Sequence, residues 1–495
     1  MSISFSEIPS DNLVPIFATE FDGSNASKSG AMPWKNLIIG QPLSSKMSTN
    51  GTLTQITSDE QADAAYGYGS QLALMIKAFR KNTKTSELWA LPIADDATSS
   101  AATGTLTFSI SGTDAKLLYA GVVRLMIGGQ ACPVNVSVDD TAENVASKAA
   151  AAINAKENLP VTATASAGKV TLTAKNKGSN GHGIDIRWNH NQGESLPEGL
   201  SIVKVAMANG GADPLYSDAA VKATCEGTWF NTIVIGSDET DNVNYIKEML
   251  DERWTAIVQQ TGVLFFSLNS TGTETEFTTR GNNLNSKEIV LAALPKSPTP
   301  GYEKAASLLG CVAPKALNDP ALPLSNWAVS GIVAPKPEDR EGFNGNNALL
   351  KAGCALMVSS DDGSVSTKRI VTTYKKNAAG AKDTAYMQLE TVMILSYLRW
   401  DWNNYLAVKY PNAKLADDGN KFGAGQVVMT PELGKAELLS RYQLWIEKGL
   451  VQNYDDFAEN VVVMLDPDDA YAMQFLIPAH LIKQFFIGKS KIQFD

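Results

Sequence analysis

The sequence predicts an α/β and α+β multidomain protein, with a discontinuous α/β sheet domain, an inserted β-rich domain, a C-terminal α+β domain and extended terminal strand arms. Three observations predict it. Short apolar runs alternate with helical patterns at 34–94 and again at 231–294, as in a parallel sheet covered by helices on both faces. Between them lies a block of different composition, entered through DDATSSAATG (95–104) and left through ANGGADP (208–214), small-residue linkers that mark an insertion. Both ends of the chain, Ser2-Ile3-Ser4-Phe5-Ser6 and Lys491-Ile492-Gln493-Phe494-Asp495, alternate polar and apolar residues as half-buried strands do.

Taken in order, WKNLIIG (34–40) is a buried strand, and Ser58-x-x-Gln61 is a capping box opening one helix over 59–81. A strand follows at 88–93. Within the inserted block GTLTFSISG, VRLMIGG, PVTATA, KVTLTAK, IDIRWN and LSIVKVAM are short strands, and a helix over 141–156 starts from Asp140 with Glu143 three residues on. This is a small β-rich sandwich or α+β module. Strands at 231–236, 263–268 and 288–294 then alternate with helices at 241–260 and 273–283. Asp362-Gly363 sets a hairpin turn. A long helix over 384–410 carries Met387, Val392, Leu395, Leu398, Trp402, Leu406 and Lys409 near helical spacing until Pro411 stops it. A second helix spans 431–448, and strand-like runs cover 460–465, 471–477 and 485–494. The division is an N-terminal arm (1–30), the α/β domain (31–94 and 213–327), the inserted domain (95–212), the C-terminal core (328–484) and a C-terminal strand arm (485–495).

Composition sets the function classes aside one by one. With 44% AVILMFWYC the chain can bury several cores, and its net charge of −10 with scattered Lys and Arg gives no support to nucleic-acid binding. No apolar run approaches the ~18 residues of a membrane helix, and MSISFSE lacks a basic n-region, so no membrane insertion and a cytoplasmic site of synthesis are expected. Cys132, Cys225, Cys311 and Cys354 are far apart and read as buried thiols.

Catalytic, cofactor and metal sites are each read as none. Gly488-Lys489-Ser490 matches the end of a phosphate loop, but Lys483 stands at its first glycine. Gly67-Tyr68-Gly69 has Leu72 where a third glycine belongs, and close packing explains it better than a dinucleotide. His182, His190 and His480 form no HExxH, and no GxSxG occurs. Asp361-Asp362, Asp417-Asp418 and Asp466-Pro467-Asp468-Asp469 adjoin turn formers, and Ala470 and Tyr471 break the calcium-loop pattern. Tyr397, Trp400, Trp402 and Tyr405 fit core packing, subunit packing or a sugar platform. The terminal strands need sheet edges, and pattern alone leaves pairing within the subunit and pairing with a neighbour equally open.

The stretch YLRWDWNNYLAVKYPNAKLADDGNKFGAGQVVMTPELG (397–434), with its KYPNAKLADDG core and following VVMTPEL, resembles the C-terminal region of tail sheath proteins of Mu-like contractile-tailed phages. SISFSEIPSDNLVPIFATEFDGSNA and IGKSKIQFD are similar to that family's two arms. The resemblance implies a structural subunit that polymerises helically, as stacked hexameric rings, around a tail tube. It implies contraction that drives the tube through the host envelope during genome delivery. Ile3, Phe5, Ile8, Leu13, Ile16, Phe17, Ile492 and Phe494 would then be inter-subunit strand-arm residues. The helix bearing Glu432 and the tube-facing candidates Lys435, Glu437, Arg441, Glu447 and Lys448 would meet the tube. Implied partners are the chain itself, the tail tube protein, and baseplate and tail terminator proteins. Implied locations are the virion tail and, during assembly, the host cytoplasm. The alternatives are an α/β enzyme holding a nucleotide or sugar at the sheet's carboxyl edge, or a surface carbohydrate- or partner-binding module centred on 95–212.

Overall fold

The computed structural model describes residues 32–47, 52–112, 114–216, 224, 227–269, 272–423 and 425–494. The chain opens with β1 (Asn36–Gly40), β2 (Thr54–Gln55), α1 (Asp59–Tyr66), α2 (Gln71–Arg80) and β3 (Leu88–Pro92). The expected single helix over 59–81 is two. Gly67 and Gly69 sit at φ 89° and 73°, values that end a right-handed helix. A Cβ on Gly67 would lie 2.5 Å from the Leu43 side chain, and one on Gly69 2.3 Å from the Leu159 carbonyl, so both glycines serve close packing. Ser58 caps α1 by accepting from the Gln61 amide, while the Gln61 side chain returns to the Thr57 amide instead of to Ser58.

The inserted block contains β4 (Ala101–Ile110), β5 (Gly121–Ile127), β6 (Gln130–Val136), α3 (Ala142–Asn154), β7 (Val161–Ser166), β8 (Lys169–Lys177), β9 (Ile186–Trp188) and β10 (Leu200–Ala208). A four-stranded antiparallel sheet, β10-β4-β8-β7, and a three-stranded one, β6-β5-β9, bury one apolar core with α3. The α3 cap is Thr141, accepting from the Asn144 amide. Asp140, expected in that role, instead accepts from the Ser137 amide and from Lys148.

The chain then returns through β11 (Thr232–Ile235), α4 (Thr240–Trp254), β12 (Val263–Phe266), α5 (Glu274–Asn282), β13 (Ile289–Ala293), α6 (Gly301–Asn318), α7 (Phe343–Lys351), β14 (Cys354–Ser359) and β15 (Val365–Arg369). Together with the first strands these make an eight-stranded sheet, β15-β14-β13-β12-β11-β1-β3-β2, parallel from β14 to β3 and antiparallel at its two ends. The continuous apolar runs are buried on both faces: Ile38, Val234, Phe265 and Val290 against α2 and α6, and Leu37, Ile233, Leu264 and Leu291 on the opposite side with residues of α4 and α5. The sheet does not stop at 327, because β14 pairs with β13 and the Asp362-Gly363 turn folds β15 back on β14.

The remainder comprises α8 (Leu389–Lys409), β16 (Lys414–Leu415), β17 (Val428–Met429), α9 (Pro431–Glu447), β18 (Val451–Gln452), α10 (Tyr454–Asn460), β19 (Val462–Leu465), β20 (Met473–Leu476) and β21 (His480–Leu481). The long helix begins at Leu389, later than the expected 384, and α9 starts with Thr430 as its cap and Pro431 at its first position. No strand forms within the chain over 485–494.

Candidate assembly surface

In the C-terminal body the long helix and α9 pack through Leu398, Trp402, Leu438, Tyr442 and Trp445, all buried. Trp402 meets Phe475 edge-on at 5.3 Å, and Tyr442 stacks on Phe457 at 3.6 Å; of the aromatic stripe Trp402 is buried, while Tyr397, Trp400 and Tyr405 are half-buried. One carboxylate organises the crossing. Asp401, buried in α8, accepts from Arg441 Nε at 2.6 Å and from the Trp445 indole at 2.6 Å, with a second guanidinium bond from Arg441 closing a fork. Sequence reasoning missed it. The signal was an acid set among Tyr397, Trp400, Trp402 and Tyr405 of one helix, which is costly to bury without a partner.

The structure places the tube-facing candidates unevenly. Glu437 turns to α8, accepting from Lys409 at 2.8 Å, from Tyr410 at 2.5 Å and from the Tyr405 hydroxyl. Burial alone would push its carboxyl up, but the bonds from Lys409, Tyr405 and Tyr410 hold it below the usual range. Arg441 is taken by Asp401, and Lys448 lies over the Tyr397 ring at 5.4 Å. Glu432 and Glu447 are exposed and Lys435 half-buried.

The hairpin β19–β20 is a sheet of only two strands, paired from Val462↔Leu476 to Leu465↔Met473. Its inner face lies on α9 at Gly434, where a Cβ would be 3.1 Å from both Met473 Sδ and Val463 Cγ1. Its outer face shows Val462, Met464 and Leu476 at 46%, 43% and 60% exposure, and among the described residues neither outer edge carries a further strand. A two-stranded ribbon with open edges and an apolar face is a template for strand addition. Past β21 the tail is still held at Gln484, which donates to the Ala321 carbonyl at 3.1 Å, and at Phe486, under Arg369 at 4.9 Å, while Phe485, Ile487, Ile492 and Phe494 are 84%, 65%, 87% and 92% exposed. Ile3, Phe5, Ile8, Leu13, Ile16 and Phe17 lie outside the described residues.

The crevice that a doubly wound sheet offers to a nucleotide is at the carboxyl ends of β1 and β11, where successive strands depart in opposite directions. Here it is filled by the chain itself. Gln71 Oε1 accepts from the Gln41 amide at 3.0 Å while its Nε2 donates to the Gly236 carbonyl at 3.0 Å. Asn180, on the 3-10 turn Ser179–Gly183 of the inserted body, donates to Gln41 Oε1 at 3.0 Å, and Asn269 Nδ2 donates to Asn180 Oδ1 at 2.5 Å. Asp213 accepts from the Asn180 amide and from Ser237, and burial pushes its carboxyl up to about 6. The phosphate-loop ending Gly488-Lys489-Ser490 lies in the exposed tail, and none of the described residues after it is helical.

No protein-family model matches the chain. A curated relative, the Mu-like prophage FluMu tail sheath protein of Haemophilus influenzae, is 34% identical over 495 residues, covering 100% of both chains. The chain belongs to the tail sheath family of Mu-like phages. It is a structural subunit of a contractile phage tail sheath, a component of the virion tail. Similar solved structures include a sheath tail protein from Desulfitobacterium hafniense (13% identity, 95% of this chain and 100% of that one, TM-score 0.46). One from Listeria innocua matches at 12% identity over 93% and 94% of the two chains, with a TM-score of 0.48. The contracted helical sheath of the anti-feeding prophage matches at 9% identity over 97% and 99%, also at 0.48. In this sheath subunit the open hairpin and the tail, which pairs with no strand among the described residues, are the surfaces to explain.

Proposed function

We propose that sheath subunits are joined by strand addition, the terminal arms of neighbouring copies pairing with the open edges of the β19–β20 hairpin. The observation that carries this reading is the combination of an unpaired apolar tail with a two-stranded acceptor in one chain. Ile3, Phe5, Ile8, Leu13, Ile16 and Phe17 from one end and Ile492 and Phe494 from the other supply the alternate side chains that set register. At about 0.5 to 1.5 kcal/mol per net hydrogen bond, a five-residue shared strand contributes a few kcal/mol before its apolar contacts.

Such contacts do not close on themselves, so they build a helix of stacked hexameric rings around the tail tube. Contraction is driven by better subunit packing, with a kinetic barrier holding the extended state, and drives the tube through the host envelope to deliver the genome. No catalytic step or nucleotide enters this scheme. The side chains left free on α9, Glu432, Lys435 and Glu447, are the proposed tube contacts. The ends of the polymer meet baseplate and tail terminator proteins, assembly takes place in the host cytoplasm, and the inserted body faces outward.

Deleting residues 1–8 or 491–495 tests the reading. Each truncation is expected to leave a folded monomer by circular dichroism and to abolish tubes in electron micrographs. Tubes of normal length from both truncations would overturn it.

A further inference from the structure

The helix α9 has an apolar cleft beside one end and an exposed tyrosine loop beside the other. At its last turn lies an open cleft of about 560 Å³ whose wall includes Trp34, Leu317, Tyr397, Trp400, Leu444 and Lys448. Leu317 and Leu444 are each 41% exposed, so among the described residues nothing covers this apolar part of the wall. Of its two cations, Arg441 is held by Asp401, while Lys448 donates to the Tyr397 hydroxyl at 3.0 Å and forms no ion pair among the described residues. Asp319, on the same wall, accepts from the Ala321 amide at 2.9 Å and is likewise without an ion pair among them.

At the other end of the helix, where Met473 lies against Gly434, the β19–β20 loop projects Tyr471 at 93% exposure. The loop is held by its own bonds: Asp466 accepts from the Asp468 amide at 2.9 Å and from Gln474 Nε2 at 2.9 Å, and Asp469 accepts from the Tyr471 amide at 2.9 Å. A tyrosine presented on an ordered loop loses little freedom on binding, and tyrosine is among the residue types that anchor interfaces. Asp468 and Asp469 flank it, both exposed.

We infer that the loop Asp466–Tyr471 of one copy docks into the cleft of a second copy, Tyr471 entering between Trp400 and Leu444 while Asp468 and Asp469 face Lys448. The partner must be a second copy. Gly434 beside the loop and Leu444 on the cleft wall are ten residues apart, roughly 15 Å along α9, so the exposed loop does not reach the cleft of its own subunit. Donor and acceptor at opposite ends of one rigid helix give a head-to-tail contact that propagates. It uses the tip of the hairpin and leaves both edges free for strands.

The inference rests on the polymeric reading, and the experiment separates the two. Assembly of full-length wild type, Tyr471→Ala, Lys448→Glu, Asp468→Lys/Asp469→Lys and the combined charge swap is followed by pelleting over a concentration series, with monomer melting as the folding control. Tyr471→Ala and each single-sided charge reversal should raise the concentration for half-assembly ten-fold or more at unchanged melting temperature, and the combined swap should restore it at least in part. Assembly of Tyr471→Ala and Lys448→Glu at the wild-type concentration would overturn the contact and leave strand addition standing. A wild type that forms no polymer would overturn strand addition as well.

Discussion

Replacing Asp401 by Ala removes the acceptor on which the C-terminal body turns. Its side chain is 2% exposed and that of Arg441 11%, so the guanidinium is left without its anion in a place where water reaches it poorly. Removing one partner of a buried ion pair costs about 3 to 5 kcal/mol, and the indole N–H of Trp445, whose residue is 1% exposed, loses its acceptor as well. Arg441 cannot simply swing away, since it also lies over the Tyr405 ring at 4.9 Å. A loss of about 3 to 5 kcal/mol is expected for Asp401→Ala and roughly half for Asp401→Asn, which keeps an acceptor for the indole. Urea unfolding of the monomer, read by tryptophan fluorescence, measures it, because Trp400, Trp402 and Trp445 all report from this body. A change below about 1 kcal/mol in both variants would refute the assignment of Asp401 as the organising group.

Gly434→Leu should push the hairpin off α9 and cost about 1 to 3 kcal/mol, seen as a lower urea midpoint together with weaker assembly, because a Cβ there already meets Met473, Val463 and Phe475 within 3.2 Å. Glu303 is buried with Oε1 unpartnered among the described residues, and burial pushes its carboxyl up to about 8. The folded state thus holds a proton that the unfolded chain has released above its ordinary carboxylate range. Stability from this group is present at low pH and falls as pH rises toward 8, so Glu303→Gln should raise the melting temperature at pH 9 and leave it unchanged at pH 4. Asn180→Ala leaves Gln41 and Asn269 short of partners and should cost about 1 to 3 kcal/mol in urea melts. Calorimetry should detect no nucleotide binding to this variant or to wild type; micromolar affinity in wild type would revive the enzyme alternative.

Much of the α/β body was legible because its strands are continuous apolar runs, and β1, β11, β12 and β13 fall within a residue or two of where such runs predict them. The helix α6 was not, for the opposite reason. Fourteen of its eighteen residues are buried, charged Glu303 and Lys304 among them, and Pro314 stands inside it, so residue type signals neither its burial nor its length. The pairing of β14 with β13 spans some sixty residues, and nothing local announces it. At the assembly surface Trp402 is core while Tyr397, Trp400 and Tyr405 are half-buried, and Asp401 depends on Arg441 and Trp445, 40 and 44 residues further on. The tail shows the limit from another side. Alternation at 491–495 states what a strand would bury, but a sheet edge must come from elsewhere.

The two bare edges of the β19–β20 ribbon have a consequence for how the structure can be built without error. Backbone amides and carbonyls discriminate poorly, so a wandering extended peptide fits them about as well as the right one. Fidelity then has to come from geometry at the growing tip, where a tether already holds the incoming segment near its target at an effective concentration in the millimolar range. A free subunit meets competitors only at their bulk concentration. On the proposed strand addition, growth at an existing end would therefore outrun random joining, and the exposed ribbon would be covered as the polymer extends.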